Sequence, residues 1–325
     1  MNGIGHRCVL NALMSQNTQR ILAVLIFKQL ILGLLLPAVV TGGILVFARS
    51  LVSKEDGDGT IGGTGISSGC RIAVALGAGY IVGYIGLEGL PPFPPREGVQ
   101  WLPYFAVLGG ILGCFWHLSL WGRVCVQAVL SIAIPRFLLN SAFKYTWGPF
   151  EGIIWWVCLA AVIFIFWHLV QQSFTLLPTG AARSFVYFGI SGGTALILAV
   201  SGTLRLAQHG GILLALFAVS WIMVLVLQRR PSSWDLFPSG ASPVVTLLLA
   251  GIWMNGYFFE EVPAASAVLL AISLLFAPIG RIAVVQRLGA WRSTLVQIAA
   301  IALPVLIAIG IAIARSGLFG DSSGY

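Results

Sequence analysis

GIIWWVCLAAVIFIFWHLV, Gly152 to Val170, runs for nineteen residues without an Asp, Glu, Lys or Arg. Its apolar residues form an unbroken run and do not alternate with polar ones. Lipid offers no water to backbone N–H and C=O groups, so a segment of this kind must satisfy them internally, as a helix does. A helix needs roughly 17–25 such residues to cross the hydrocarbon core, whereas a barrel strand needs only about ten, in alternation. This stretch therefore reads as a transmembrane helix, and the rest of the chain repeats it. Comparable runs lie at 29–48, 71–90, 102–120, 123–139, 151–171, 185–204, 210–228, 243–259, 262–280 and 293–314. The predicted fold class is all-α: a polytopic integral membrane helical bundle of about ten transmembrane helices. The tight turns at Trp121–Arg123 and Glu260–Glu261 are the places where neighbouring helices can merge.

Composition agrees with the pattern. Of 325 residues, 58% are hydrophobic and 9% charged, against roughly a quarter charged in soluble domains. The net charge of +8 comes from 18 basic residues spread singly over the inter-helix turns. They form no basic stripe, which argues against nucleic acid and points to lipid headgroups. Many of the 11 tryptophans stand where apolar runs begin or end, as in an interfacial belt. Short connections make sequential helices antiparallel neighbours. The expected layout is a polar N-terminal segment 1–20, one transmembrane domain over 21–315 and a short tail 316–325.

The first apolar run, Ile21 to Phe47, exceeds the about 7–15 residues of a signal-peptide core and is expected to stay in the mature chain. Lys and Arg divide ten to eight between the two faces. The three-Arg turn at 281–292 and the base-free turn at Glu260–Glu261 lean toward both termini facing away from the cytoplasm. The expected location is an integral multi-pass position, in the cytoplasmic (inner) membrane for a bacterial protein. Cys8, Cys70, Cys114, Cys125 and Cys158 form no CxxC or ligand-spaced pair and read as small buried hydrophobes.

Glycine concentrates inside the runs, as in LGAGYIVG (Leu76–Gly83) and GISGGT (Gly189–Thr194). Small residues let membrane helices approach closely. The second motif has another reading, an unwound stretch whose carbonyls line a site. Two short echoes hint at a duplicated hairpin: FWHL at 115–118 and 166–169, and LPTGA at 177–181 against FPSGA at 237–241.

Few residues could carry chemistry. His117 and His168, from the two FWHL echoes, lie on parallel helices at similar depth, as axial ligands of a b-type haem would. The competing reading is a pair of interfacial histidines beside Trp116 and Trp167. Glu88, Glu151, Glu260 and Glu261 fall on one face, and carboxylates in a membrane are functional candidates by default. At helix ends they can also simply reach water. Lys28, Arg136 and Arg205 are the deepest bases. The glycine-rich loop after Gly57 lacks the Gly-Lys-Ser/Thr ending of a phosphate loop. Pro91–Pro95 forms a stiff extramembrane elbow, a candidate docking point. Hydrolase and metalloprotease motifs are absent, so enzyme chemistry has no support.

The leading functional reading is a transporter or permease-like protein for a small solute or a lipid-linked molecule. Second comes a non-catalytic scaffold or subunit of a membrane complex, and third a haem-binding redox protein. Apart from that haem, no cofactor is implied. The expected partners are the bilayer and other membrane proteins or a second copy of the chain.

Overall fold

The computed structural model describes residues 31–55, 68–116, 119–178, 181–227, 238–260 and 262–316. Among them the protein is an all-α bundle with no strand. After a π-helical stretch at Ile31–Leu35 come α1 (Leu36–Glu55), α2 (Ser68–Glu88) and α3 (Leu102–Cys114). These are followed by α4 (Leu120–Leu138), α5 (Pro149–Leu176), α6 (Ala181–Val200) and α7 (Leu204–Leu227). The last three are α8 (Ser242–Phe259), α9 (Ala264–Ile272, continued by a 3-10 run to Arg281) and α10 (Ala290–Arg315). Nine of the described helices are long and apolar enough to cross a membrane; the stretch Gly98–Cys114 is shorter. The chain is thus a multi-pass helical membrane protein.

Local chemistry sets the breaks. Ser119 caps α4, its Oγ accepting a hydrogen bond from the Gly122 amide at 3.3 Å. α3 ends at Cys114 and α4 starts at Leu120, so the break between them lies before the turn expected at 121–123. Pro263 stands before α9, where its fixed φ starts a helix but cannot continue one, so α8 and α9 are separate. Pro103, Pro149 and Pro243 open α3, α5 and α8 in the same manner.

α8 is the central helix, with 78% of its span enclosed, whereas only 22% of α4 and of α5 is. The outer surface carries large apolar side chains such as Val39, Val129, Val157, Ile165 and Leu306, all more than half exposed. Such a surface suits lipid. Within the bundle, lipid supplies no hydrophobic drive between helices, so close packing and polar contacts must hold them. A Cβ on Gly109 of α3 would stand 2.7 Å from the Val244 Cα of α8, and one on Gly210 of α7 would stand 2.9 Å from the Ala195 Cα of α6. Polar staples add to this: Gln127 donates to Gln171 at 2.6 Å between α4 and α5, and Trp253 donates to Thr194 at 2.9 Å between α8 and α6.

One expectation is corrected. Cys70, in the first turn of α2, and Cys114, the last residue of α3, are joined in a disulfide. The cysteines were expected to be unpaired apolar side chains. The two helices run antiparallel with glycines between them, which brings residues 44 apart in sequence together. Cys125 and Cys158 are free and exposed, and Cys8 lies outside the described residues.

Candidate functional site

Two features share the start of α7, on opposite sides of it. The first is a polar cluster between α7 and α2. Tyr80, Tyr84 and Glu88 are spaced four apart, so they form one stripe along α2. Arg205 and His209, also four apart, face that stripe from α7. The guanidinium of Arg205 holds the Glu88 carboxylate in a two-pronged grip, Nε to Oε1 at 2.6 Å and Nη2 to Oε2 at 2.9 Å. Its remaining arm, Nη1, donates to Glu97 Oε2 at 2.9 Å. Arg205 therefore fastens both feet of the proline-rich loop 89–97. Gln100 Oε1 secures the second foot, accepting from the amides of Arg96 at 2.8 Å and Glu97 at 3.3 Å.

Neither charge is placed to help its own helix. A carboxylate in the last turn and a guanidinium in the first each oppose the helix dipole, at a cost of about 0.3–1 kcal/mol. Their contribution is across the helices. Behind them His209 is wholly buried, its Nδ1 3.2 Å from the Tyr80 hydroxyl and its Nε2 3.6 Å from Glu88 Oε1. The Tyr84 ring packs against the imidazole at 5.3 Å between centroids.

The second feature is a cavity of about 880 Å³ bounded by α6, α7, α10 and the π-helical stretch that precedes α1. Gly189, Gly192 and Gly193 form one wall; Val305 and Ile309 of α10 stand in another, and Gln208 is the one polar side chain at its border. The GISGGT motif stays helical throughout, so the unwound reading does not apply. Gly193 lies against Val305, whereas a Cβ on Gly189 would meet nothing within 4 Å. The glycines thus do two jobs: one packs, the other leaves room.

The acidic residues singled out in the sequence part company. Glu88 enters the cluster. Glu151 stands exposed in the first turn of α5, where a carboxylate favours the helix dipole. Glu260 follows the last residue of α8, and no ion pair among the described residues joins it or Glu151 to the cluster. Glu261 lies outside the described residues. Of the deep bases, Arg205 joins the cluster, Arg136 donates to Asn140 Oδ1 at 2.7 Å on the exposed face of α4, and Lys28 lies outside the described residues.

The FWHL echoes meet through their tryptophans. Trp116 and Trp167 are buried and stack 6.3 Å apart with their planes within 7°. His168 points outward, its Nε2 2.9 Å from the Gln172 side-chain amide, while His117 lies outside the described residues. LPTGA and FPSGA are only partly described: α6 starts at Ala181 in one, and a 3-10 turn at Ser239–Ala241 leads into α8 in the other.

His209 carries no sequence motif and was not singled out. The four-residue spacing of Tyr80, Tyr84 and Glu88, matched by that of Arg205 and His209, was the available signal. No family model, no curated protein and no solved structure matches the chain.

Proposed function

We propose that the protein binds a lipid or lipid-linked molecule, holds its chain in the cavity between α6, α7 and α10, and acts on it as a permease-like carrier. The cavity carries this reading. Its volume lies within the roughly 300–1,000 Å³ of ordinary ligand sites, yet its lining is apolar apart from Gln208. A polar solute placed there would lose its hydrogen bonds to water without replacement, at roughly 1–3 kcal/mol for each group. That weighs against a small polar solute and for a hydrocarbon chain.

The surroundings point the same way. The walls are membrane helices, so the molecules at the mouth are themselves chains. Leaving one apolar medium for another brings no transfer gain. Selection must come from the shape of the cavity and from polar groups at its end. Gln208, at the border of the cavity, is the polar group so placed. Apolar walls with one polar group at their border match the polarity of an amphiphile.

The test is mass spectrometry of lipids retained by the full-length protein after detergent extraction. Wild-type protein is expected to carry a restricted set of lipids. Gly189→Phe, at a lining position where an added Cβ meets nothing within 4 Å, is expected to lose them while remaining monodisperse. Retention of the same lipids by Gly189→Phe, or a bulk-membrane profile in wild type, would defeat the proposal and favour a scaffold whose cavity is covered by a partner.

A further inference from the structure

The polar cluster contains an arrangement that lipid binding does not use. Glu88 Oε1 faces two nitrogens at once. Arg205 Nε reaches it at 2.6 Å, and His209 Nε2 lies 3.6 Å away, just beyond hydrogen-bond reach. That Nε2 is fully buried and has no hydrogen-bond partner. A buried polar atom left unsatisfied is costly and calls for a reason. The other ring nitrogen is served by the Tyr80 hydroxyl, which can donate to a bare Nδ1 or accept from a protonated one. Glu88 itself is 19% exposed, so the carboxylate connects the enclosed imidazole to the aqueous face.

We propose that His209 is a proton-binding site, and that proton uptake there is coupled through Glu88 Oε1 to the Arg205 grip on loop 89–97. With the Tyr80 oxygen accepting from a protonated Nδ1, the neutral ring leaves Nε2 bare toward Glu88. Uptake of a second proton, arriving from water by way of Glu88, adds to Nε2 and places N–H groups on both nitrogens. Tyr80 keeps its hydrogen bond to Nδ1, and the imidazolium closes on Oε1. Two cations now compete for one carboxylate oxygen. Arg205 gives up its Nε prong, and the hold on Glu97 loosens with it. The N–H bond formed on the ring replaces an O–H bond of hydronium from the solvent, and no bond between heavy atoms changes.

The groups facing His209 are few. From α2 they are Tyr80, Tyr84 and Glu88; from its own helix, Arg205; and through Arg205, Glu97 of the loop. Residues 31–48 carry no ionisable side chain, α6 has Arg183 and Tyr187 in the first half of its length, and the last turns of α8 offer Tyr257 alone. The inference is independent of what fills the cavity.

The experiment is a pH titration of histidine-labelled, full-length protein in lipid nanodiscs, followed by imidazole NMR. The His209 signal is identified by its loss in His209→Gln. It is expected to shift with pH as the ring takes up a proton. Glu88→Gln removes the anion that favours the imidazolium, so the midpoint should fall by about one pH unit, a tenfold loss in proton affinity. Arg205→Lys keeps the charge but abandons the two-pronged grip and frees Oε1. It should raise the midpoint, and it serves if Glu88→Gln does not fold. Amide hydrogen exchange over 97–101 should be faster in wild type than in His209→Gln below the midpoint, and equal above it. An imidazole signal that does not titrate while the protein stays folded, midpoints unmoved by the variants, or an exchange ratio independent of pH would each overturn the proposal.

Discussion

The two ends of α2 are held by different means. At its first turn, Cys70 is bonded to Cys114, and Gly69 lies against Gly240 so closely that a Cβ on Gly240 would stand 2.7 Å from the Gly69 carbonyl oxygen. At its last turn, Glu88 is held by Arg205, whose side chain is 47% exposed. One end is covalent and backbone-to-backbone; the other is a charged grip open to water. A grip of charges can be released by protons, salt or a competing ligand, whereas backbone contact cannot. The same helix is thereby anchored at one face of the bundle and adjustable at the other.

The sharpest way to break this contrast is at the anchored end. Gly240→Val puts a side chain where only backbone lies to receive it, so nothing flexible can give way. Overpacking of this kind costs about 1–3 kcal/mol, more where backbone must move, and the expected outcome is loss of monodisperse protein on size exclusion. Normal yield and thermal unfolding would mean that the Gly69–Gly240 approach is not an anchor.

Replacing Cys70 and Cys114 together with Ala comes next. Their bond closes a loop of 44 residues, and bonds of that kind typically contribute about 2–4 kcal/mol. Thermal unfolding of the double variant should fall, and reductant should lower the wild type to match it. The bond also bears on orientation, because disulfides persist in oxidising compartments. The face with Cys70 should therefore be non-cytoplasmic, the reverse of the leaning drawn from Lys and Arg. A cysteine introduced at Tyr145, exposed on the opposite face, should be shielded from an impermeant maleimide in intact cells.

At the adjustable end the effects shrink. Arg205→Gln leaves Glu88 and Glu97 without their shared cation, and an exposed pair of this sort contributes about 1 kcal/mol or less. The loss should be largest at low ionic strength and fade as salt screens the charges. A difference from wild type that salt does not alter would show the grip to be a buried structural pair.

How these features stand in the sequence follows from their range. The spans are legible because a helix in lipid must be apolar over its whole length, so each run announces itself locally. Glu88 and Arg205 could be singled out because a charge beside such a run is costly wherever it goes. Their pairing could not, since it joins positions 117 apart in sequence. The Cys70–Cys114 bond is hidden for the same reason. GISGGT was legible as a place of small residues, but one glycine packs against Val305 while another faces a cavity. That distinction depends on where α10 lies. His209 looked ordinary because its partners belong to another helix.

The smallest expected effect is also the most discriminating. Glu97 is 55% exposed and takes only the third arm of Arg205, so Glu97→Gln should cost a few tenths of a kcal/mol at most and leave thermal unfolding near that of wild type. It should still quicken amide exchange over 97–101, because the second foot of the loop then rests on Gln100 alone. A local change without a global one is what separates an adjustable contact from an anchor. If Glu97→Gln instead lowers thermal unfolding as far as Arg205→Gln does, the loop and both charges form one rigid unit. The two ends of α2 would then differ in chemistry but not in mechanical role.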